Sequence, residues 1–318
     1  MKILILCPGS WSHGLNSPER GEGRWSQNYA RMLAKAGHDV YAASMNIAPD
    51  EDGVKLINEV ECSKYEPYDL YIDSSWWKDK VPKAKATKYI ALKWSLEDYT
   101  REPITDSNFY LAYPYPSHRW EFSGTANDQK TFPLPTMFGE DFPEPNWPAD
   151  KIFLPGKIDI NRRPEEYIDE VAAFLNKHPI EGCTASFFQK EFKGLLIEKE
   201  GDCLYESKPY NEVLESMKNS RISVPILNPG CIIEAAFQGV PSIFWGHSGF
   251  YNPLASSLDI LIEHDAPPGR FTEVAESIMY NKKRHAEVVI ATQDYFSCHL
   301  YDRAMKYFNL MVEEIFED

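Results

Sequence analysis

The chain has 318 residues, 43% of them hydrophobic and 25% charged. That length exceeds one ordinary core, and that composition excludes a disordered or fibrous chain, so two globular domains are expected. The formal charge of −15, from 33 basic and 48 acidic residues, excludes a protein whose whole surface wraps nucleic acid or lies on an anionic membrane. It leaves room for a local basic site.

The apolar start Ile3-Leu4-Ile5-Leu6-Cys7 meets Pro8-Gly9 after five residues. That is too short for a signal-peptide core or a membrane helix, and no later run is long enough either. Cys7, Cys62, Cys183, Cys203, Cys231 and Cys298 are scattered without a C-x-x-C pair. Reduced thiols in a cytoplasmic protein are expected rather than a zinc site or a disulfide framework.

In chain order, residues 2–7 predict a buried parallel strand. A helix is expected from near Gly23, with Trp25, Tyr29, Met32, Leu33 and Ala36 on one face and Gly37 closing it. Val40-Tyr41-Ala42-Ala43 then reads as a second strand. Leu70-Tyr71-Ile72, Tyr89-Ile90-Ala91-Leu92 and Phe109-Tyr110-Leu111-Ala112 are further strands, at a spacing that suggests a parallel sheet covered on both faces.

Pro133, Pro135, Pro143, Pro145 and Pro148 crowd the next segment. It reads as a semi-rigid linker, not as a helix or a central strand. A second alternation follows. Strands are expected at Ile152-Phe153-Leu154, Ala185–Phe188, Cys203–Tyr205, Ile222–Val224 and 240–245. Helices are expected at 164–177, 209–218 and 230–238, and two more in 271–316 with a break near Asn281. The fold class is therefore α/β, with two Rossmann-like domains facing across a cleft. The expected parts are an amino-terminal Rossmann-like domain at 1–132, a linker at 133–150, a carboxyl-terminal ligand-binding domain at 151–280 and a tail at 281–318.

The richest stretch is Asn228-Pro229-Gly230-Cys231-Ile232-Ile233-Glu234-Ala235-Ala236-Phe237-Gln238-Gly239-Val240-Pro241. A Pro-Gly loop feeds a short helix whose first backbone N–H groups are unpaired and suit a diphosphate. Glu234 lies about one turn in, where a carboxylate accepts both hydroxyls of a ribose. An ordinary βαβ unit with one solvated Glu carries equal weight on composition alone.

Glu234-Ala235-Ala236-Phe237-Gln238-Gly239-Val240-Pro241 resembles the E-A-x-x-x-G-x-P signature of GT-B glycosyltransferases, especially their family-4-like group. Gly21 and Gly23 followed by Gly37-His38-Asp39-Val40 are similar to that group's first loop and helix ending. Pro155-Gly156-Lys157 with Arg162-Arg163 is similar to the opening of its nucleotide domain. Two positions depart from the pattern. Ile226 stands where the group has a second Glu, and Lys157 replaces an Arg, keeping the charge without the bidentate fork.

The resemblance implies a nucleotide-diphosphate sugar donor, a UDP-sugar first, handled without a metal and with retention of configuration. Its ribose would meet Glu234. Its phosphates would meet Gly230, Cys231, Gly156, Lys157, Arg162 and Arg163, under a loop formed by Gly21 and Gly23. That loop lies too far from the first strand for a dinucleotide fingerprint, and a purely structural loop capping the helix fits it as well.

On the acceptor side, Trp76 and Trp77 precede Lys78, Lys80, Lys83, Lys85 and Lys88, with Lys93 further on. This basic-aromatic stretch suits a phosphate backbone and a stacked base, or else is a solvated surface. Glu97 and Asp98 follow another strand and are candidates to orient or deprotonate an acceptor hydroxyl, or form a helix-start charge pair. Of the loop histidines His13, His118, His247 and His264, His13 and His118 belong to the acceptor side, and His13 is the third catalytic candidate. Asp50-Glu51-Asp52 reads as a solvated turn rather than a metal site.

Val240–Trp245 with Ser248-Gly249 is similar to the corresponding segment of phage DNA alpha-glucosyltransferases. With the lysine stretch, that similarity implies a hydroxymethylated DNA base as acceptor, in the host cytoplasm if the protein is phage-encoded. Three readings compete. They are a nucleotide-sugar epimerase of the same fold, a non-catalytic two-domain binding protein, and a scaffold that docks nucleic acid.

Overall fold

The structure is a computed structural model that describes residues 1–6, 21–44, 50–73, 82–92, 104–114, 127–155, 165–183, 210–225, 229–245, 254, 257–262 and 266–317. The chain divides into two compact units. Unit 1 is Met1–Glu140 with Cys298–Asp318, and unit 2 is Asp141–Ser297. The helices among the described residues are α1 (Gly21–Lys35), α2 (Glu165–Asn176), α3 (Tyr210–Lys218), α4 (Pro229–Ala236), α5 (Arg270–Met279), α6 (Lys282–Tyr295) and α7 (Tyr301–Glu317). None of them is long and apolar enough to cross a membrane.

Unit 1 is built on β1 (Lys2–Leu6), β2 (Asp39–Ser44), β3 (Val54–Asn58), β4 (Tyr68–Asp73), β5 (Ala86–Leu92), β6 (Phe109–Tyr113) and β7 (Thr131–Pro133). They form one seven-stranded sheet in the order β3-β2-β1-β4-β5-β6-β7. Every pair is parallel. Both faces of β1 are buried. Leu4 and Leu6 pack with Tyr41, Tyr68, Tyr71 and Cys62, while Ile3 and Ile5 are fully buried on the other side. Strand order reverses between β1 and β4, which marks a topological switch point.

The helix α1 begins at Gly21, inside the segment expected to be a glycine loop. It ends in a Schellman turn. Gly37 sits at φ +85°, its N–H donates to Ala34 O at 2.9 Å, and His38 N–H donates to Leu33 O at 3.1 Å.

Sequence reasoning missed β3, which follows directly on the acidic turn. Asp52 and Gly53 both take positive φ there, Asp50 accepts from Leu56 N at 2.9 Å, and Asp52 pairs with Arg31 at 3.0 Å. β7 was missed because Pro133 lies in it. As the last strand of the sheet it tolerates a residue without an N–H.

Unit 2 holds β8 (Ile152–Pro155), β9 (Ile180–Cys183), β10 (Ile222–Ser223), β11 (Phe244–Trp245) and β12 (Leu261–Ile262). The order β10-β8-β9 and the pair β11-β12 are parallel. Among the described residues one parallel bridge, Ser223 to Ser242, joins the two sets. The expected strand 240–245 is thus a bridge and a two-residue strand. On one face Phe153 packs with Met217 of α3, Ala235 of α4 and Val240. On the other, α2 and α5 pack together through Phe174 and Phe271, whose ring centroids are 5.4 Å apart. The strands expected at Ala185–Phe188 and Cys203–Tyr205 lie outside the described residues.

The start of α5 is capped from another helix. Its N-cap is Gly269, at φ +91°, which has no side chain to offer. Glu170 of α2 takes over, accepting from Gly269 N at 3.0 Å and from Thr272 N at 2.8 Å. Glu170→Ala should therefore cost about 1–2 kcal/mol, the scale of a lost cap. The check is a urea unfolding curve, and an unchanged midpoint would assign the cap no stabilising role.

The tail has one more break than expected. Asn281 caps α6 by accepting from Arg284 N at 3.0 Å. A short 3-10 turn, Phe296–His299, then separates α6 from α7. In unit 1, Gly139 bridges Leu300, Phe138 N–H donates to His299 O at 3.0 Å, and the His299 ring donates from Nδ1 to Thr136 O at 2.9 Å.

Candidate functional site

In unit 2 the strand order reverses around β8, with β9 on one side and β10 on the other. Sheets of this class bind ligands outside the carboxyl ends of the two strands that flank such a reversal. Here those ends are Pro155 of β8 and Ser223 of β10. The chain leaving Pro155 runs into Gly156 and Lys157, and the chain leaving β10 leads into α4.

The sequence of α4, PGCIIEAA, explains its form. Pro229 at the first position forfeits no intrahelical bond. Ile232, Ile233, Ala235 and Ala236 are all buried, so the helix is held by packing. The N–H groups of its first turn have no carbonyl partner within the helix and form its electropositive end. Gly230 and Cys231 lie in that first turn. Gly230 is half-buried and Cys231 buried. Glu234 is also buried, the one carboxylate of an otherwise apolar helix.

The far end of α4 is fixed tightly. Gly239 sits at φ +70°. Its N–H donates to Ala236 O at 3.1 Å, and Val240 N–H donates to Ala235 O at 2.9 Å, which makes another Schellman turn. The apolar contact that accompanies this turn joins Val240 and Ala235. The glycine of the E-A-x-x-x-G-x-P stretch therefore has two jobs. It adopts the left-handed conformation, and it admits segment 142–146, because a Cβ there would lie 2.9 Å from Glu144 O.

Of the expected donor-side residues, Gly230, Cys231 and Glu234 come together on α4. Gly156, Lys157, Arg162 and Arg163 lie outside the described residues. Gly21 and Gly23 are corrected from a loop to the first turn of α1, where they present backbone N–H groups at a helix start. The other expected residues of unit 1, His13, Trp76, Trp77, Lys78, Lys80, Glu97 and Asp98, lie outside the described residues. They fall in the segments that follow β1, β4 and β5 in the chain.

Two described lysines of the basic stretch are engaged. Lys83 pairs with Glu59 at 2.7 Å. Lys88 reaches the Tyr110 hydroxyl at 3.3 Å and stands over its ring. Among the described residues no three His, Cys, Asp or Glu side chains gather in a way that would hold a metal ion. Burial pushes the Cys62 thiol up to about 11, which makes it a packing residue rather than a nucleophile.

Sequence reasoning missed Gln293 of α6. It is buried, and its Nε2 donates to Pro143 O at 2.9 Å and to Ala236 O at 3.1 Å. No local pattern marks it, because both partners are backbone carbonyls far away in the chain.

No protein-family model matches the chain, and no curated protein matches it. Solved structures do. The sucrose-phosphate synthase of Thermosynechococcus elongatus superposes with a TM-score of 0.66 at 12% identity, covering 100% of each chain. UGT89C1 of Arabidopsis thaliana, solved with UDP, superposes at 0.56 and 11%, covering 99% of each chain. A glycotransferase of kitacinnamycin superposes at 0.55 and 12%, covering 98% of each. Along its length, this chain has the GT-B fold of glycosyltransferases.

Proposed function

We propose that the protein is a glycosyltransferase that moves a sugar from a nucleoside diphosphate sugar, a UDP-sugar first, to an acceptor hydroxyl, with retention and without a metal. The observation that carries this reading is α4. It follows β10 at the unit 2 switch point, offers first-turn N–H groups, and buries a single carboxylate one turn in. A diphosphate suits the first feature and a ribose the second. The solved UDP complex of a protein with the same fold supports the choice of nucleotide.

In this reading Lys157, Arg162 and Arg163 add positive charge against the phosphates. Gly21 and Gly23 bring backbone N–H groups to the donor. The acceptor oxygen bonds to the anomeric carbon on the same face from which the diphosphate departs, as that bond breaks, so the configuration is retained. The hydroxyl proton passes to Glu97 or Asp98, with His13 as the other candidate base. The electropositive end of α4 and the cations stabilise the charge that develops on the leaving diphosphate. For the acceptor, Trp76, Trp77, Lys78 and Lys80 suit a hydroxymethylated base in DNA. Within unit 1 Lys83 and Lys88 are engaged by Glu59 and Tyr110, while Lys85 of the same stretch is exposed.

The first test is thermal unfolding against UDP, GDP, ADP and their sugars. At 100 times its dissociation constant, a true ligand stabilises by about 2.7 kcal/mol. One nucleotide is expected to shift the transition and the others to leave it alone. Glu234→Ala should then weaken that nucleotide roughly tenfold to a hundredfold, the scale of a lost charged hydrogen bond. No shift with any nucleotide would favour a non-catalytic binding protein. A Glu234→Ala variant that binds like the parent would move the donor away from α4. DNA carrying hydroxymethylated bases is the acceptor to try once the donor is known.

A further inference from the structure

The geometry points to Gln293 as a positioning residue for the nucleotide site, an inference that rests on the donor reading of α4 given above. The helix α4 has eight residues and is therefore about 12 Å long. Its two ends belong to one rigid body. Whatever fixes the carboxyl end also fixes Gly230, Cys231 and Glu234.

What fixes the carboxyl end is unusual. Ala236 O accepts twice, from Gly239 N at 3.1 Å and from Gln293 Nε2 at 3.1 Å. That uses both lone pairs of the last carbonyl in α4. The same Nε2 gives its second hydrogen to Pro143 O at 2.9 Å. One amide group thus ties α4 to segment 142–146 and both of them to α6. The segment makes three further contacts with the same end. Phe142 and Phe237 lie with ring centroids 4.4 Å apart. Asn146 N–H donates to Gly239 O at 3.3 Å. Gly239 leaves the room that Glu144 O occupies.

Segment 142–146 begins two residues after Glu140, the last residue of unit 1 before unit 2, and α6 ends three residues before Cys298, where the chain returns to unit 1. Gln293 therefore bonds α4 to the segment that enters unit 2 from the element that leaves it. A shift of either one reaches the helix that holds the nucleotide through this amide. By linkage, a nucleotide held at the amino end of α4 acts back on segment 142–146.

The test uses the full chain and two variants of α6. Gln293→Met keeps the volume and loses both hydrogen bonds. Thr292→Val, at a buried neighbour that bonds only within its own helix at 2.6 Å, controls for a general loosening of α6. Amide exchange of residues 230–236, without ligand, is expected to quicken roughly tenfold in Gln293→Met and not in Thr292→Val. The dissociation constant of the nucleoside diphosphate that stabilises the parent should rise by a similar factor in Gln293→Met alone.

A measurement without variants stands beside this. Adding that nucleotide to the parent should slow exchange at Glu144 and Asn146 as well as on α4. Slowing confined to α4, or equal effects of the two variants, overturns the positioning role. If Gln293→Met loosens α4 while the parent binds no nucleoside diphosphate, the donor reading has failed and the mechanical tie remains.

Discussion

Acidification from pH 7 to pH 5 is expected to destabilise both units, by about 2 kcal/mol for each of two buried histidines. His299 in unit 1 is fully buried, and burial pushes its pKa down from 6.5 to about 4, only partly offset by its bond to Thr136 O. His285 in unit 2 is buried beside Trp147, and burial likewise pushes it down to about 4, with the Arg221 charge adding to the effect. Its Nε2–H donates to Arg221 O at 2.9 Å, a bond that works the other way without prevailing.

The folded pKa lies below the unfolded one, so between about pH 6.5 and pH 4 the unfolded chain binds more protons than the folded chain. Stability therefore rises with pH across that window. The contribution of each neutral ring is fully present above 6.5 and lost progressively as pH falls towards 4. At about 1.4 kcal/mol per pH unit, going down to pH 5, about 1.5 units below the unfolded pKa, costs each neutral ring about 2 kcal/mol. Thermal unfolding followed from pH 7 to pH 5 reads this directly. His299→Gln should flatten the dependence in unit 1, and His285→Gln should flatten it in unit 2. A parent whose transition does not move over this range would show that neither ring is held neutral.

The second large effect is at Gly239. Gly239→Ala should cost about 2–5 kcal/mol. Part is the left-handed backbone at φ +70°, which disfavours a Cβ by about 1–2 kcal/mol. The rest is the carbonyl of Glu144, 2.9 Å from that Cβ, and forcing atoms into a filled space costs about 1–3 kcal/mol. Gly37→Ala is the matched comparison, because φ is +85° there and nothing lies within 4 Å of the added Cβ. It should cost about 1–2 kcal/mol, the conformational part alone. Denaturant unfolding of the pair separates the two contributions. Equal losses would mean that segment 142–146 yields to the new methyl group. Nucleotide affinity should fall in Gly239→Ala too, since the same segment fixes α4.

The sequence made some elements plain and hid others for physical reasons. β1, α1 and β2 were legible because an apolar run, a 3.6-residue stripe and Gly37 each carry a strong local signal. β3 was hidden behind Asp50-Glu51-Asp52, which drew attention as a charged turn, although Val54, Leu56 and Ile57 are buried behind it. β7 was hidden by Pro133, whose missing N–H matters only in a central strand. The break before α7 carries no Gly or Pro. It is held by tertiary contacts instead, with Trp25 and Phe138 packed edge-on against His299 at 5.4 Å and 5.5 Å.

The same contrast applies to the candidate site. Glu234 and Gly239 could be read from a motif because their spacing follows from one helix and its ending. The role of Gly239 in admitting segment 142–146, and the existence of Gln293 as a tie, depend on residues brought together by the fold. Periodicity holds no information about such pairs.

Unit 1 is discontinuous in the chain, and this bears on how the protein is made. The helix α7 buries Ala304, Met305, Phe308, Met311 and Ile315, and Phe308 meets His38 at 5.6 Å beside the end of α1. Those partners leave the ribosome only after all of unit 2 has been synthesised. Unit 2 is contiguous, so a nascent chain can complete it while the apolar flank of α1 still awaits its cover. The unit that is started first is finished last, and a chaperone attending synthesis would find its exposed surface near the amino terminus until the final helix arrives.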